Sequence, residues 1–288
     1  MENILELQQV SKSFQKSGFL LDQITFSLPY GSILGFVAEN GAGKTTTIGC
    51  ILNTIRKDHG KITLFGREMA DADTDIREKI GVVYDGDNFP SYWTAKQLSQ
   101  IMAGLYKNWD NALFEKYTDE FALPSGQKIG HYSRGMTMKL AIAAALSHHP
   151  QLLILDEATS GLDPIMRDEM LDVFLDFVQE ETHSILLSSH ITSDLEKIAD
   201  YIAFIHKGRL LMTVSKNELA YQYAVMRCQE SQFRSLDPGD VLAYRKRDLQ
   251  TDVLVRNAKE AAGKYKDIVI DHVSLDEIML LLIKGERL

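Results

Sequence analysis

The segment SILGFVAENGAGKTTT, residues 32–47, limits what this chain can fold into more than any other stretch. An unbroken apolar run, ILGFVA, leads into a turn containing Gly41 and Gly43, and beyond Lys44 the apolar residues of TTTIGCILNTI recur at helical spacing. A strand, a glycine-rich loop and a helix in that order form one mechanical unit. Gly41 and Gly43 can take positive φ, so that successive backbone N–H groups curl around an anion. The amino end of the following helix adds partial positive charge. Lys44 then stands where an ammonium reaches the outer phosphates of a nucleotide, and the Thr45 hydroxyl where it can ligate magnesium. At ordinary residue frequencies a chain of this length gives about 0.02 chance matches to the pattern. The alternative, a flexible glycine turn with a surface lysine, does not account for the strand before it and the helix after it. Ala38 replaces the usual first glycine, and its methyl is compatible with such a loop while its φ stays negative.

The 288 residues are long for one small domain and suit a main domain with an appendage. A formal net charge of −9 argues against coating a nucleic acid with the whole surface and leaves a local basic patch open; no nucleic-acid partner is expected. Cys50 and Cys228 are the two cysteines, too few for a disulfide framework and at home in a reducing compartment. The start, MENILELQQV, lacks the apolar core of a signal peptide. Apolar runs such as YIAFI fall far short of the roughly 20 residues that cross a bilayer. A cytosolic chain able to dock on a membrane protein is expected.

Along the chain, the first 35 residues read as strands, GKITLFG and KIGVVYD as two more, and Thr94 to Phe121 as helix broken near Asn108–Asn111. Ser133 precedes a helix that Pro150 terminates, with His148 and His149 expected at its surface end. QLLILDEA and HSILLSSH are the apolar strands of a buried parallel sheet. Asp163-Pro164 predicts a helix start, Ser193 with Glu196 a capping box, and YIAFIHKGRLL a hairpin about Lys207-Gly208. Past about Asn217 short alternating strands and a closing helix, SLDEIMLLLIKG, suggest a compact α+β appendage. The order of strand–helix units is α/β. The expected division is 1–217 for the main domain, with a helical subdomain at about 90–148, and 218–288 for the accessory domain.

Asp156 and Glu157 end one buried strand, and paired carboxylates there need a cation or a polar network. Asp156 suits the outer sphere of a magnesium ion, behind its direct ligands, and Glu157 a general base acting on water. A helix cap or surface acidic pair is the alternative. His190 ends the next apolar strand, and side-by-side parallel strands bring their carboxyl ends to one crevice. It could reach a terminal phosphate or cap the next helix. The remaining histidines show no metal-like spacing, no structural zinc is expected, and Cys50 is expected to be a packed thiol.

Taken in order, these motifs resemble the ATP-binding subunit of ABC transporters over roughly residues 4–215. GFVAENGAGKTT resembles the Walker A segment, YSRGM the family signature, LLILDE the Walker B strand, SGLD the D-loop, and His190 the switch histidine. The resemblance implies a P-loop NTPase fold with an ABC-type β-subdomain and a helical subdomain. It implies ATP and Mg2+ as cofactors, and Phe14 against adenine. Asn40, Gly41, Ala42, Gly43, Lys44, Thr45 and Thr46 would hold the triphosphate. Thr45, Asp85 and Asp156 would hold the metal, and Glu157, His190 and Lys44 would serve catalysis. Two chains, identical or homologous, would pair head to tail, with Ser133 and Gly135 of one covering the γ-phosphate on the other. SLDEIMLLLIKG resembles the ABC-2 type branch, and within it firmicute ATPases of antimicrobial or peptide export and resistance. The partner implied is an ABC-2 type transmembrane permease, with the chain peripheral on the inner face of the cell membrane.

Three positions depart from the family pattern. Asp85 stands where glutamine or glutamate is usual, Arg134 replaces the first of two signature glycines, and Met136 the glutamine after them. Arg134 is expected across the subunit interface, on the partner's nucleotide, or facing solvent. A weakly hydrolysing regulatory subunit and a soluble ATP-switched interaction protein are the alternative functions.

Overall fold

The computed structural model describes residues 2–16, 18–39, 41–70, 73–86 and 88–287. Strands β1 (Asn3–Phe14) and β2 (Phe19–Pro29) form an antiparallel pair, and β3 (Ile33–Ala38) follows, buried at every residue. Helix α1 (Lys44–Ile51) begins after Gly43, whose φ of 118° no side-chain-bearing residue adopts readily. Strands β4 (His59–Leu64) and β5 (Arg67–Glu68), the short helix α2 (Thr74–Arg77) and β6 (Ile80–Val83) complete the first part.

Helices α3 (Ala95–Leu105), α4 (Asn111–Glu120) and α5 (Arg134–Leu146) then pack on one another. Thr94 and Gln97 form a reciprocal capping box for α3, and Asp110 caps α4 through the Leu113 amide. Leu98, Phe114, Ile129 and Leu140 form the core between them. Strand β7 (Leu152–Asp156), helix α6 (Pro164–Phe177) capped by Asp163, β8 (Ser184–Ser189), α7 (Thr192–Ile198), and the hairpin β9 (Tyr201–His206) and β10 (Arg209–Ser215) follow. The predicted Asp163-Pro164 helix start and the hairpin about Lys207-Gly208 are both present.

One ten-stranded sheet runs β5-β4-β1-β2-β10-β9-β3-β8-β7-β6. Its central strands β9, β3, β8, β7 and β6 are parallel neighbours. Their apolar continuity is what burial on both faces demands. The register sets Val37 beside Ser189 and Asp156 beside Ser188, so the carboxyl ends of β3, β8 and β7 lie together. Gly208 (φ +78°) donates its N–H to the Ala42 carbonyl, tying the β9–β10 turn to the loop before α1. A Cβ there would fall 1.8 Å from the Leu20 carbonyl oxygen, so only glycine fits.

After α8 (Lys216–Gln222), a second sheet is built from β11 (Tyr223–Cys228), β12 (Val241–Lys246), β13 (Thr251–Arg256) and β14 (Val269–His272), in the order β12-β13-β11-β14. Helices α9 (Glu230–Phe233), α10 (Ala258–Lys264) and α11 (Leu275–Lys284) accompany it. This part is joined to the rest by more than a linker. Val225, Leu254, Leu275 and Ile278 belong to the same continuous core as Leu195, Ile202 and Phe174. Among the described residues no helix is long and apolar enough to cross a membrane.

Two expectations are corrected. Ser193 and Glu196 form no capping box. Helix α7 starts at Thr192, its N-cap position is Ile191 with no side-chain cap, and the Glu196 carboxylate accepts from the Leu275 amide. His148 is buried at 1% exposure, stacked on Tyr106 at 4.1 Å, with Nδ1 3.1 Å from the Glu78 carbonyl; only His149 faces solvent. Burial holds the His148 pKa below its usual 6.5, outweighing the Glu78 hydrogen bond. The folded state therefore resists a proton that the unfolded chain accepts, and stability is full above about pH 6.5 and declines as pH falls below it. In urea unfolding, the midpoint of a His148→Phe variant should fall less between pH 7 and pH 5.5 than that of the wild type.

Candidate functional site

The convergence of β3, β8 and β7 produces a cavity of about 240 Å³ at their carboxyl ends, lined by the loop before α1, by Asp156 and Glu157, and by Asp85. Gly41 and Gly43 have φ of 79° and 118°. A Cβ at Gly43 would press on Leu21 and Phe19 at 3.1 Å, so both its conformation and its surroundings favour glycine. Ala42 is buried and uses its carbonyl on Gly208, which fixes the loop from behind. Lys44, Thr45 and Thr46 line the cavity as the sequence predicts.

The chemistry concentrates on two buried carboxylates. Lys44 Nζ donates to the Ala38 carbonyl at 2.9 Å and lies 2.9 Å from Glu157 Oε1. Lys44 is 6% exposed and Glu157 7%. Burying either charge alone would be costly, and their contact offsets that cost. Apart from this ion pair Glu157 Oε1 has no hydrogen-bond partner, so a donor entering the cavity would share it with the Lys44 ammonium. The other oxygen, Oε2, lies 2.6 Å from His190 Nδ1. Glu157 itself has φ +55°, a left-handed conformation that turns its side chain off the strand direction.

Asp156 Oδ2 accepts from the Thr45 hydroxyl at 3.0 Å, and Oδ1 accepts from the Ser188 hydroxyl. A hydroxyl and a carboxylate held this close are hard oxygen donors of the kind magnesium takes. Among the described residues no group of three or more His, Cys, Asp or Glu side chains could hold a metal unaided. A cation here would take its further ligands from phosphate oxygens and water, as magnesium bound with a nucleotide does.

The structure thus brings Lys44, Thr45, Asp156, Glu157 and His190 together, and it separates others. His190 is half exposed and faces Glu157 rather than lining the cavity. Ser133 caps α5 through the Met136 amide, and Gly135 packs under Met166; neither reaches this cavity. Phe19 lines the cavity where Phe14 was expected, the two rings lying 6.4 Å apart on facing strands. Asn40 lies outside the described residues. Cys50 is the packed thiol expected, its pKa pushed up to about 11, mainly by burial.

Sequence reasoning treated the two departures Asp85 and Arg134 separately, yet they meet within the chain. Arg134 Nη2 donates to Asp85 Oδ1 at 2.9 Å, and its guanidinium covers Gly161, where a Cβ would come within 2.9 Å of Cζ. Both partners are about half exposed, so the pair adds little stability. It does join the segment after β6 to the start of α5. Ser188 was also missed, and the signal for it was the pair of polar residues closing an otherwise apolar strand beside two acids.

Comparison with known proteins agrees with this geometry. A family model described as ABC transporter matches residues 21–160. The bacitracin transport ATP-binding protein BcrA of Bacillus licheniformis is 35% identical over 226 residues, covering 76% of this chain and 72% of that protein. The lantibiotic transport ATP-binding protein SrtF of Streptococcus pyogenes is 30% identical, covering 73% of this chain and 90% of that one. Among solved structures, an ATP-binding subunit of an ABC transporter matches with a TM-score of 0.68 at 26% identity, over 75% of this chain and 91% of that chain. A dimeric ATP-binding cassette bound to ADP and phosphate, 17% identical, shares the fold with a TM-score of 0.65 over 74% and 98%. With identity at that level extending over most of its relatives' length, the chain belongs to the ABC transporter family of ATP-binding proteins, binds ATP and is an ATPase.

Proposed function

We propose that this chain hydrolyses ATP held with Mg2+ and delivers the resulting motion to a separate ABC-2 type membrane permease that exports a peptide, an antimicrobial or a small lipophilic compound. The observation that carries the catalytic part is the contact of the buried Glu157 with both Lys44 and His190 at the end of β7. The names of the bacitracin and lantibiotic transport relatives support the choice of cargo class. Residues 1–217 form the ATPase domain, with a helical subdomain at about 90–148, and 218–288 an accessory domain.

Each residue has a distinct task. Gly41, Ala42, Gly43 and Thr46 present the loop backbone to the phosphates, with Asn40 completing the loop. Lys44 binds the outer phosphates, and Phe14 or the cavity-lining Phe19 offers an aromatic face to the base. Thr45 and Asp156, with Asp85 nearby, would hold Mg2+, which neutralises phosphate charge when bound. Glu157 accepts the proton of the attacking water, for which Lys44 must turn from its carboxylate to the phosphates. His190 orients Glu157 and senses the γ-phosphate. Ser133 and Gly135 lie away from their own chain's cavity, which supports a head-to-tail pair in which each chain covers its partner's nucleotide. The chain would sit on the inner face of the cell membrane by docking on its permease.

A second reading, a weakly hydrolysing regulatory subunit, draws on the pairing of Asp85 with Arg134, since an engaged Asp85 is less available to a metal. The per-site turnover of the purified chain decides between them: a rate comparable to that of a partner ATPase rejects the regulatory reading.

Glu157→Gln should lower ATP turnover at least about 100-fold while MANT-ATP still binds. Lys44→Met should instead weaken MANT-ATP binding at least about tenfold, a loss of about 1.4 kcal/mol. Full steady-state turnover by the Glu157→Gln variant would remove Glu157 from the mechanism. Affinity purification from detergent-solubilised membranes should recover a polytopic membrane protein, and recovery of nucleic acid or ribosomes instead would refute the transport assignment.

A further inference from the structure

The short helix α7 follows His190 after a single residue, Ile191. Leu195 and Ile198 bury it in the core, but its polar anchoring to the ATPase part is thin. It has no side-chain cap, and at its start the Ile191 amide donates to Ser189 Oγ, one residue before His190. From α6, Arg167 approaches Asp194 at 3.9 Å, but both Arg167 Nε and Asp194 Oδ2 lack a hydrogen-bond partner, and the Lys197–Asp168 pair is solvent-exposed at the far end.

The firm anchors come from α11. Asp276 Oδ1 accepts from the buried Thr192 hydroxyl at 2.7 Å, in the first turn of α7. In return, Glu196 Oε1 accepts from the Leu275 amide at 2.7 Å, satisfying one of the unpaired N–H groups at the start of α11. That charge-assisted bond also places a carboxylate at the positive end of α11. Beneath the two bonds, Leu195 is packed in one core with Leu275 and Ile278. The α11 side of this grip is itself fixed, because Arg227 of β11 holds Glu277 at 2.5 Å while also pairing with the buried Asp252 at 3.0 Å.

We propose that Asp276 and Glu196 are positioning residues for ATP hydrolysis: by clamping α7 between the ATPase core and α11, they hold His190 against Glu157. This rests on the role given to His190 above. The C-terminal part thereby sets the rate of the chemical step without touching nucleotide. A small displacement of a catalytic group is enough for a large loss of rate.

The test is a comparison of Asp276→Ala, Asp276→Asn and Thr192→Val in the full-length chain. Asp276→Ala should lower kcat about five- to tenfold, with KM for ATP and MANT-ATP affinity unchanged within about twofold. Asp276→Asn keeps an acceptor for Thr192 and should restore most of kcat. Thr192→Val should lose as much as Asp276→Ala, and the double variant no more, because one bond is removed in each case. Hydrogen exchange should quicken at residues 190–198 in Asp276→Ala and stay unchanged at residues 41–51. An unaltered kcat, or a kcat loss matched by equal loss of nucleotide affinity, overturns the proposal. If Glu157→Gln is inactive while the Asp276 variants behave as wild type, the catalytic reading stands and the clamp alone fails.

Discussion

An ion pair shielded from water, Lys44 with Glu157, is the constraint around which the ATPase part is arranged. Neither charge could be placed where it is without the other, because a lone ion in so dry a place would lose several kcal/mol of hydration. Their meeting requires that the loop before α1 and the end of β7 arrive at the same point. The sheet order meets that requirement by placing β8 between β3 and β7, with all three parallel. The Ser188 hydroxyl on the middle strand then fixes the end of β7, donating to Asp156 and lying 3.3 Å from the Glu157 amide. Catalytic geometry and sheet topology are therefore one structural fact.

Much of this could be read from the chain because it is written in consecutive residues. The phosphate loop lies within one short segment, and Asp156-Glu157 and His190 each close an apolar run whose burial follows from its composition. The Asp163 cap and the break between α3 and α4 are equally local. What escaped depends on partners distant in sequence. Glu196 sits at the spacing of a capping box with Ser193, yet a backbone amide 79 positions away takes its carboxylate. His148 carries a titratable ring beside a proline and reads as surface, but Tyr106 and the Glu78 carbonyl enclose it. Phe14 and Phe19 face each other across a turn, and spacing cannot say which ring borders the cavity.

The two unusual residues Asp85 and Arg134 show the same limitation from another side. Taken singly, each looks like a defect in a motif. Joined by their ion pair, they form a bridge between the segment after β6 and the first turn of α5, with the guanidinium laid over Gly161. The opposite charge at each position accounts for the other, and neither the carboxylate nor the guanidinium has to be explained alone.

The hydrogen bond from Gly208 to Ala42 has a further meaning for the chain during its synthesis. The nucleotide cradle is spelled near the amino terminus, but the strut behind it lies far along the message. A ribosome that has translated only the Walker A segment has released a loop without its backing. The cradle can acquire its final shape only after the β9–β10 turn has emerged, so the growing polypeptide carries an incompletely braced ATP site until Gly208 has been added.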